Sequence, residues 1–345
     1  MDDDQTSSPE KSTTSISPKP HITWSDSYTK AHIAIESLTS IIPSNPPTLA
    51  SSDTPALSLL HDSDITANIS RLLRQPDSGA VDDNLCGWLY DTFHSSELDL
   101  QLVVLRFLPV VAGMYLSRAT LHKPLAGFES VLLAIYAHET AARNGQAVSV
   151  SIPDLSHPSI YHEMKQVTKN SSTELHLAVI TPSLEPHGTV RSTRRARIVG
   201  VALELYYSKI SQIPMGSKIE FCEFCKIWSG QIDPDSGIID DDENNSERSK
   251  KSEGEGRKGR IDLPWDLLQP ILRILGHCLM CPGEKELFEA AFGACRCLHA
   301  RSLHDINPKA ILATESLLKL AKMADESNGD HRDYTEIEVT NVIRI

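Results

Sequence analysis

Two apolar runs joined by a proline-bearing turn dominate the middle of the chain. In the first, Leu98 to Leu116, residues Leu98, Leu102, Leu105, Leu108 and Ala112 recur at steps of three and four. Leu100, Val103, Val104, Phe107, Val111 and Tyr115 widen that stripe to most of the circumference. The pattern predicts a helix buried on nearly every side. It excludes a membrane span, because Asp99 and Arg106 lie inside the run and Pro109 removes a backbone donor. Pro109 also predicts a kink near Leu105 and Arg106. The second run, Phe128 to Ala142, predicts a second helix, with Pro124 near its first turn and Gly145 as its stop.

The rest of the chain reads as more helices of the same kind. Apolar periodicity begins near Tyr28, and Pro43, Pro46 and Pro47 end it. Ala56 to Leu60 and Ile65 to Leu73 continue the array, and Asp82 or Asp83 caps a helix carrying Leu85, Trp88, Leu89 and Phe93. Val148 to Ile152 and Leu175 to Ile180 have strand character, which allows one short hairpin-like pairing. Ser192 or Thr193 caps a further helix over Val199 to Tyr206, broken by Pro214 and Gly216. Ile219 to Trp228 is helical in pattern. Pro264 opens a helix with Leu267, Leu268, Ile271, Leu272 and Leu275, and two more follow, Glu286 to Leu303 and Pro308 to Met323.

The expected fold is therefore mainly α: an irregular array of antiparallel helices with one short β pairing near residues 148–180. Aromatics make up only 6% of the 345 residues, which favours aliphatic helix packing over a sheet sandwich. Residues 1–27 are rich in Ser, Thr, Asp and Pro and read as a disordered tail. A helical domain is expected over 28–325, interrupted by a charged low-complexity loop at 231–260. A polar tail follows at 326–345, in which Ile337, Val339, Val342 and Ile343 fit a small docked strand. No internal repeat period supports a strict solenoid.

Charge and cysteine usage narrow the function. A net charge of −13 disfavours nucleic-acid binding. Seven cysteines, an odd number, suggest a reducing compartment rather than a disulfide framework. The start, MDDDQTSS, has neither a secretory signal nor a myristoylation site, and no prenylation box is present, so membrane attachment is expected through a partner or weak surface charge.

The chemical motifs are weak. Gly254, Gly256 and Gly259 spell G-x-G-x-x-G inside the charged loop, with no strand before them to aim a helix at a phosphate, so the match is chance. Cys222/Cys225 and Cys278/Cys281 form two Cys-x-x-Cys pairs. A gap of 52 residues separates them, roughly three times that of a usual zinc module. The bland reading is buried helical cysteines; a zinc-stabilised interaction module is the alternative. Asp154, His157 and Ser159 are too close in sequence for a catalytic triad and read as a proline-rigidified loop, with a hydrolase as the remote rival. Arg191, Arg194, Arg195 and Arg197 crowd a helix start, where cations oppose the dipole, which marks a candidate patch for an anionic partner.

LQLVVLRFLP (Leu100 to Pro109), VLLAIYAHE (Val131 to Glu139) and above all SIPDLSHPSIYHE (Ser151 to Glu163) resemble the hyccin family. ILGHCL, with Gly276, His277 and Cys278, is a second anchor. The likeness spans about residues 28–320, and its signature loop carries Pro153, Asp154, Pro158, Ser159, Tyr161, His162 and Glu163. The resemblance implies a non-catalytic subunit of the plasma-membrane phosphatidylinositol 4-kinase type III alpha complex. Such a subunit binds and stabilises a tetratricopeptide-repeat partner and supports phosphatidylinositol 4-phosphate production. It implies no enzyme activity and no cofactor or metal. It also implies a cytoplasmic protein peripheral at the plasma membrane, whose membrane contact runs through an anchor subunit. The charged insertion at 231–260 is not part of the family pattern, and the long tail of animal members is absent here. In physical terms the resemblance predicts a wide apolar patch that is buried only with a partner present.

Overall fold

The computed structural model describes residues 24–42, 52–153, 175–186, 191, 194–230, 260–281 and 283–328. Its first helices are α1 (Trp24–Ile41), α2 (Pro55–His61), α3 (Ser63–Leu73) and α4 (Asn84–His94). The array continues through α5 (Leu98–Arg106), α6 (Leu108–Leu121) and α7 (Ala126–Arg143). Two strands follow, β1 (Val148–Pro153) and β2 (Leu175–Thr181). The last helices are α8 (Arg195–Ser208), α9 (Met215–Ser229), α10 (Trp265–Leu279), α11 (Lys285–His304) and α12 (Pro308–Asn328). The first helix starts at Trp24. The signature loop after Pro153, the charged loop up to Gly259 and the segment after Asn328 lie outside the described residues.

One continuous apolar core runs from Ile35 on α1 to Ala321 on α12. Helices adjacent in sequence pack together (α6 on α7, α7 on α8, α10 on α11, α11 on α12), and longer contacts set α4 on α7, α6 on α9 and α8 on α10. The arrangement is an irregular stack, as the helical periodicity implied.

Several joints follow from single residues. The Asp83 carboxylate accepts from the backbone N–H groups of Leu85 (2.8 Å) and Cys86 (3.3 Å), capping α4 and settling the choice between Asp82 and Asp83. α7 ends in a left-handed turn at Asn144 and Gly145, where the Gly145 N–H reaches the Thr140 carbonyl at 3.0 Å. Pro124 lies one residue before the N-cap of α7 rather than within its first turn. The two strands pair antiparallel, Ser149 opposite Val179 and Ile152 opposite His176. The caps proposed at Ser192 and Thr193 fall outside the described residues.

The kink expected from Pro109 is a full break. α5 and α6 meet at 47°, separated only by Phe107, which is completely buried. Pro109 is the second residue of α6, where its missing N–H leaves no partner unsatisfied. The break frees the Arg106 carbonyl, and the buried Ser217 hydroxyl donates to it at 2.6 Å, with the Tyr206 hydroxyl 3.0 Å from Ser217. Arg106 itself turns to the end of α2 and to α3, donating to the Leu60 carbonyl and the Thr66 hydroxyl. No single helix among the described residues is long and apolar enough to cross a membrane. Only α5 and α6 taken together reach that length, and apart from the exposed end residues Leu98 and Leu121 most of their apolar side chains are packed in the core.

The two ends of the charged loop meet. Ile261 donates from its backbone to the Trp228 carbonyl at 3.3 Å, and Arg260 pairs with Asp305 at 2.7 Å. Arg301, nearly buried, also pairs with Asp305 and reaches the Ser229 carbonyl at 3.3 Å. Partial burial pushes the Asp305 carboxyl up, but the hydrogen bonds from Arg301 and His304 and the nearby Arg260 outweigh it, and the carboxyl ionises below the ordinary aspartate range. Its contribution to stability is therefore present above the unfolded-state value and is lost as pH falls through the lower folded-state value. In acid titrations below about pH 4, Asp305→Asn should give a shallower loss of stability than the parent. The difference is expected to be modest, since the side chain is 34% exposed and water screens it. Parallel acid limbs would show that this cluster does not couple to folding.

Candidate docking surfaces

Of the signature-loop residues, the structure describes only Pro153, the last residue of β1; Asp154, Pro158, Ser159, Tyr161, His162 and Glu163 lie outside the described residues, as does His157. The basic cluster is divided. Arg197 donates to the carbonyls of Pro182 (3.2 Å) and Ser183 (2.8 Å) and faces Asp266 at 3.8 Å, so it ties the end of β2 to the first turn of α10. Arg194 pairs with Glu185 but keeps an exposed head, Arg195 is half-buried, and Arg191 is exposed.

The cysteine pairs come together in the core. Cys222 and Cys225 on α9, Cys278 on α10 and Cys295 on α11 are all fully buried. The Cys222 thiol hydrogen-bonds Cys278, closing the gap that argued against a shared site in the sequence. That contact and burial together push the Cys222 thiol well up. Burial pushes Cys295 up to about 12. The same contact lowers Cys278, so the pair holds its proton on Cys222. The protonated Cys222, Cys225 and Cys295 thiols are poor metal ligands. Among the described residues no three His, Cys, Asp or Glu side chains are placed to hold a metal ion, so the zinc-stabilised alternative built on Cys222/Cys225 and Cys278/Cys281 has no support. All seven cysteines are free thiols; six are buried as small apolar groups and Cys281 is half-buried at the edge of the core.

Two openings on the surface are apolar. The larger, about 720 Å³, lies between α1 and α4, floored by Trp88 and Leu100 and edged by Ile33, which is 59% exposed. The Trp88 indole N–H donates to the Ala34 carbonyl at 2.8 Å and locks the two helices at this spacing. Lys30, Asp82 and Asp91 give it a polar rim. The second, about 520 Å³, is bounded by α8, α10 and α12 and carries Leu272, Met280, Leu317 and Leu320. Trp265 lines it with Lys309 above its ring at 6.0 Å, and Arg273 stacks over Tyr207 at 4.2 Å. Neither opening was legible in the sequence. Each is built from residues on helices distant in the chain, and periodicity does not say which helix faces meet across an opening.

A helical stack that gathers its reactive thiols into an inert core and keeps apolar grooves on its outside is a docking scaffold. The chain belongs to the Hyccin family: the Hyccin model matches residues 50–344. Its role is accordingly that of a non-catalytic scaffold within a protein complex, and it is not an enzyme.

Proposed function

We propose that this chain is the scaffold subunit of a phosphatidylinositol 4-kinase type III alpha complex. It binds and stabilises a tetratricopeptide-repeat subunit and thereby supports phosphatidylinositol 4-phosphate production at the plasma membrane, while a separate anchor subunit makes the membrane contact. The observation that carries this reading is membership in the Hyccin family. The exposed apolar edge at Ile33 supports it, because contiguous apolar openings on a soluble chain mark interaction sites. The exposed heads of Arg191 and Arg194 are the part of the basic cluster we assign to an anionic group of the partner.

Affinity purification of the chain at native expression should recover both a tetratricopeptide-repeat protein and the lipid kinase, and loss of the chain should lower the abundance of that repeat protein. A chain recovered alone, monodisperse and stable without companions, would sink the proposal.

A further inference from the structure

α12 is packed inside out. Its fully buried positions are small, Ala310, Thr314 and Ala321, whereas Leu312 (67%), Leu320 (42%) and Met323 (65%) face outward. Leu312, Leu320 and Met323 fall within a quarter-turn of one another on the helix. Leu320 lines the groove that α12 forms with α10, while Leu312 and Met323 lie further round, away from the core. Across that groove Trp265 and Met280 are also about 40% exposed. The groove lining holds two cationic or protonatable groups, Arg273 and His277, and no carboxylate.

We infer that residues 329–345 of this same chain cover that groove. Three observations select this occupant. The first is reach. The segment follows directly on Asn328, the last residue of the helix that forms one wall. Leu320 lies eight residues back, about 12 Å along the helix, and eight extended residues span about 26 Å. The second is pattern. Ile337, Val339, Ile343 and Ile345 recur at two-residue steps on one side, interrupted by Asn341, with Glu336, Glu338, Thr340 and Arg344 on the other, where Val342 is the one apolar exception. The third is charge. The segment carries Asp330, Asp333, Glu336 and Glu338 against Arg332 and Arg344, an excess of two negative charges that suits a groove whose lining holds Arg273 and no carboxylate; burial lowers the proton affinity of His277, so the complement rests on Arg273. The family match also runs to residue 344, so the segment belongs to the matched unit. The inference is independent of the proposed kinase complex.

Radical footprinting of the purified full-length chain tests it. Trp265, Met280 and Leu320 should label slowly in the parent and several-fold faster in Ile337→Asp/Val339→Asp, with Leu121 and Val81 unchanged in both. The same increase should follow from ending the chain at Asn328, and a synthetic 329–345 peptide added in trans should reverse it. The circular dichroism of both variants should match the parent. Fast labelling in the parent that the tail variants do not alter overturns the inference. Protection that disappears on dilution and ignores the tail substitutions also overturns it, in favour of a second copy. Protection gained only when the repeat-protein partner is added overturns it in favour of that partner.

Discussion

Arg118→Met should destabilise the fold by more than about 3 kcal/mol, since each buried carbonyl left without a donor costs about 1–3 kcal/mol. Arg118 leaves α6 with only 2% of its surface exposed. It donates to the carbonyls of Gln75 and Ser78, to the Ser78 hydroxyl at 3.0 Å and to the Pro124 carbonyl at 3.3 Å. Its guanidinium also lies 5.2 Å from the centre of the Phe128 ring. These acceptors belong to the irregular turns after α3 and before α7, which have no ladder of their own to satisfy them. One planar fork thus holds two connections against one helix. Burial lowers the guanidinium's proton affinity, with Cys86, Asp83 and Asp77 opposing that shift, so part of the loss on substitution is offset by removing a buried charge. Arg118→Lys should recover less than half, because an ammonium cannot reach carbonyls on both turns at once. Urea unfolding of the three proteins decides the matter. A methionine variant within about 1 kcal/mol of the parent would mean that water takes over these carbonyls.

Gly200→Ala is expected to destabilise, against the intrinsic preference of a helix for alanine. Gly200 sits on α8 where α10 crosses it, and a Cβ there would lie 2.5 Å from the Asp266 carbonyl oxygen. That oxygen is backbone and cannot rotate away, so the two helices must separate. The carbonyl is exposed to this contact for a reason written in the chain: Pro270, four residues on, has no N–H to give it. Overpacking of this kind costs typically about 1–3 kcal/mol, and pushing apart two helices of the central stack belongs at the upper end. Gly87 is the control. It is exposed on α4, and a Cβ there meets nothing within 4 Å. Gly87→Ala should therefore stabilise by about 0.5–1 kcal/mol. Thermal or urea unfolding of both variants gives opposite signs if the α8–α10 approach is as close as described. Equal signs would refute it.

Local chemistry was legible where one residue acts on its neighbours. The Asp83 cap, the helix stop at Gly145, the start of α10 after Pro264 and the pairing of residues 148–153 with 175–181 all depend on contacts close in the chain or on backbone alternation. The Pro109 signal was legible as a bend but not as a break. The missing factor was Ser217, more than a hundred residues away, which satisfies the freed Arg106 carbonyl and lets the chain change direction completely. Arg106 was readable as a charge that bars a membrane span. Its actual partners on α2 and α3 were not, because nothing in periodicity says which loop end a buried cation will meet.

By itself the amino-acid order determined that this protein is a stack of aliphatic helices with one small strand pair, and the segments that carry the family likeness. Those properties follow from spacing along single elements, where 3.6-residue and two-residue periods translate directly into faces. Tertiary structure alone decided which face of α12 turned inward. It also decided that Cys222 and Cys278 touch across the core and that Arg118 holds the turns after α3 and before α7. Each of those outcomes is a choice among competing long-range contacts. Small residues at Ala310, Thr314 and Ala321 let α12 approach α11 closely, and that close packing outweighed burying the leucines on its other side.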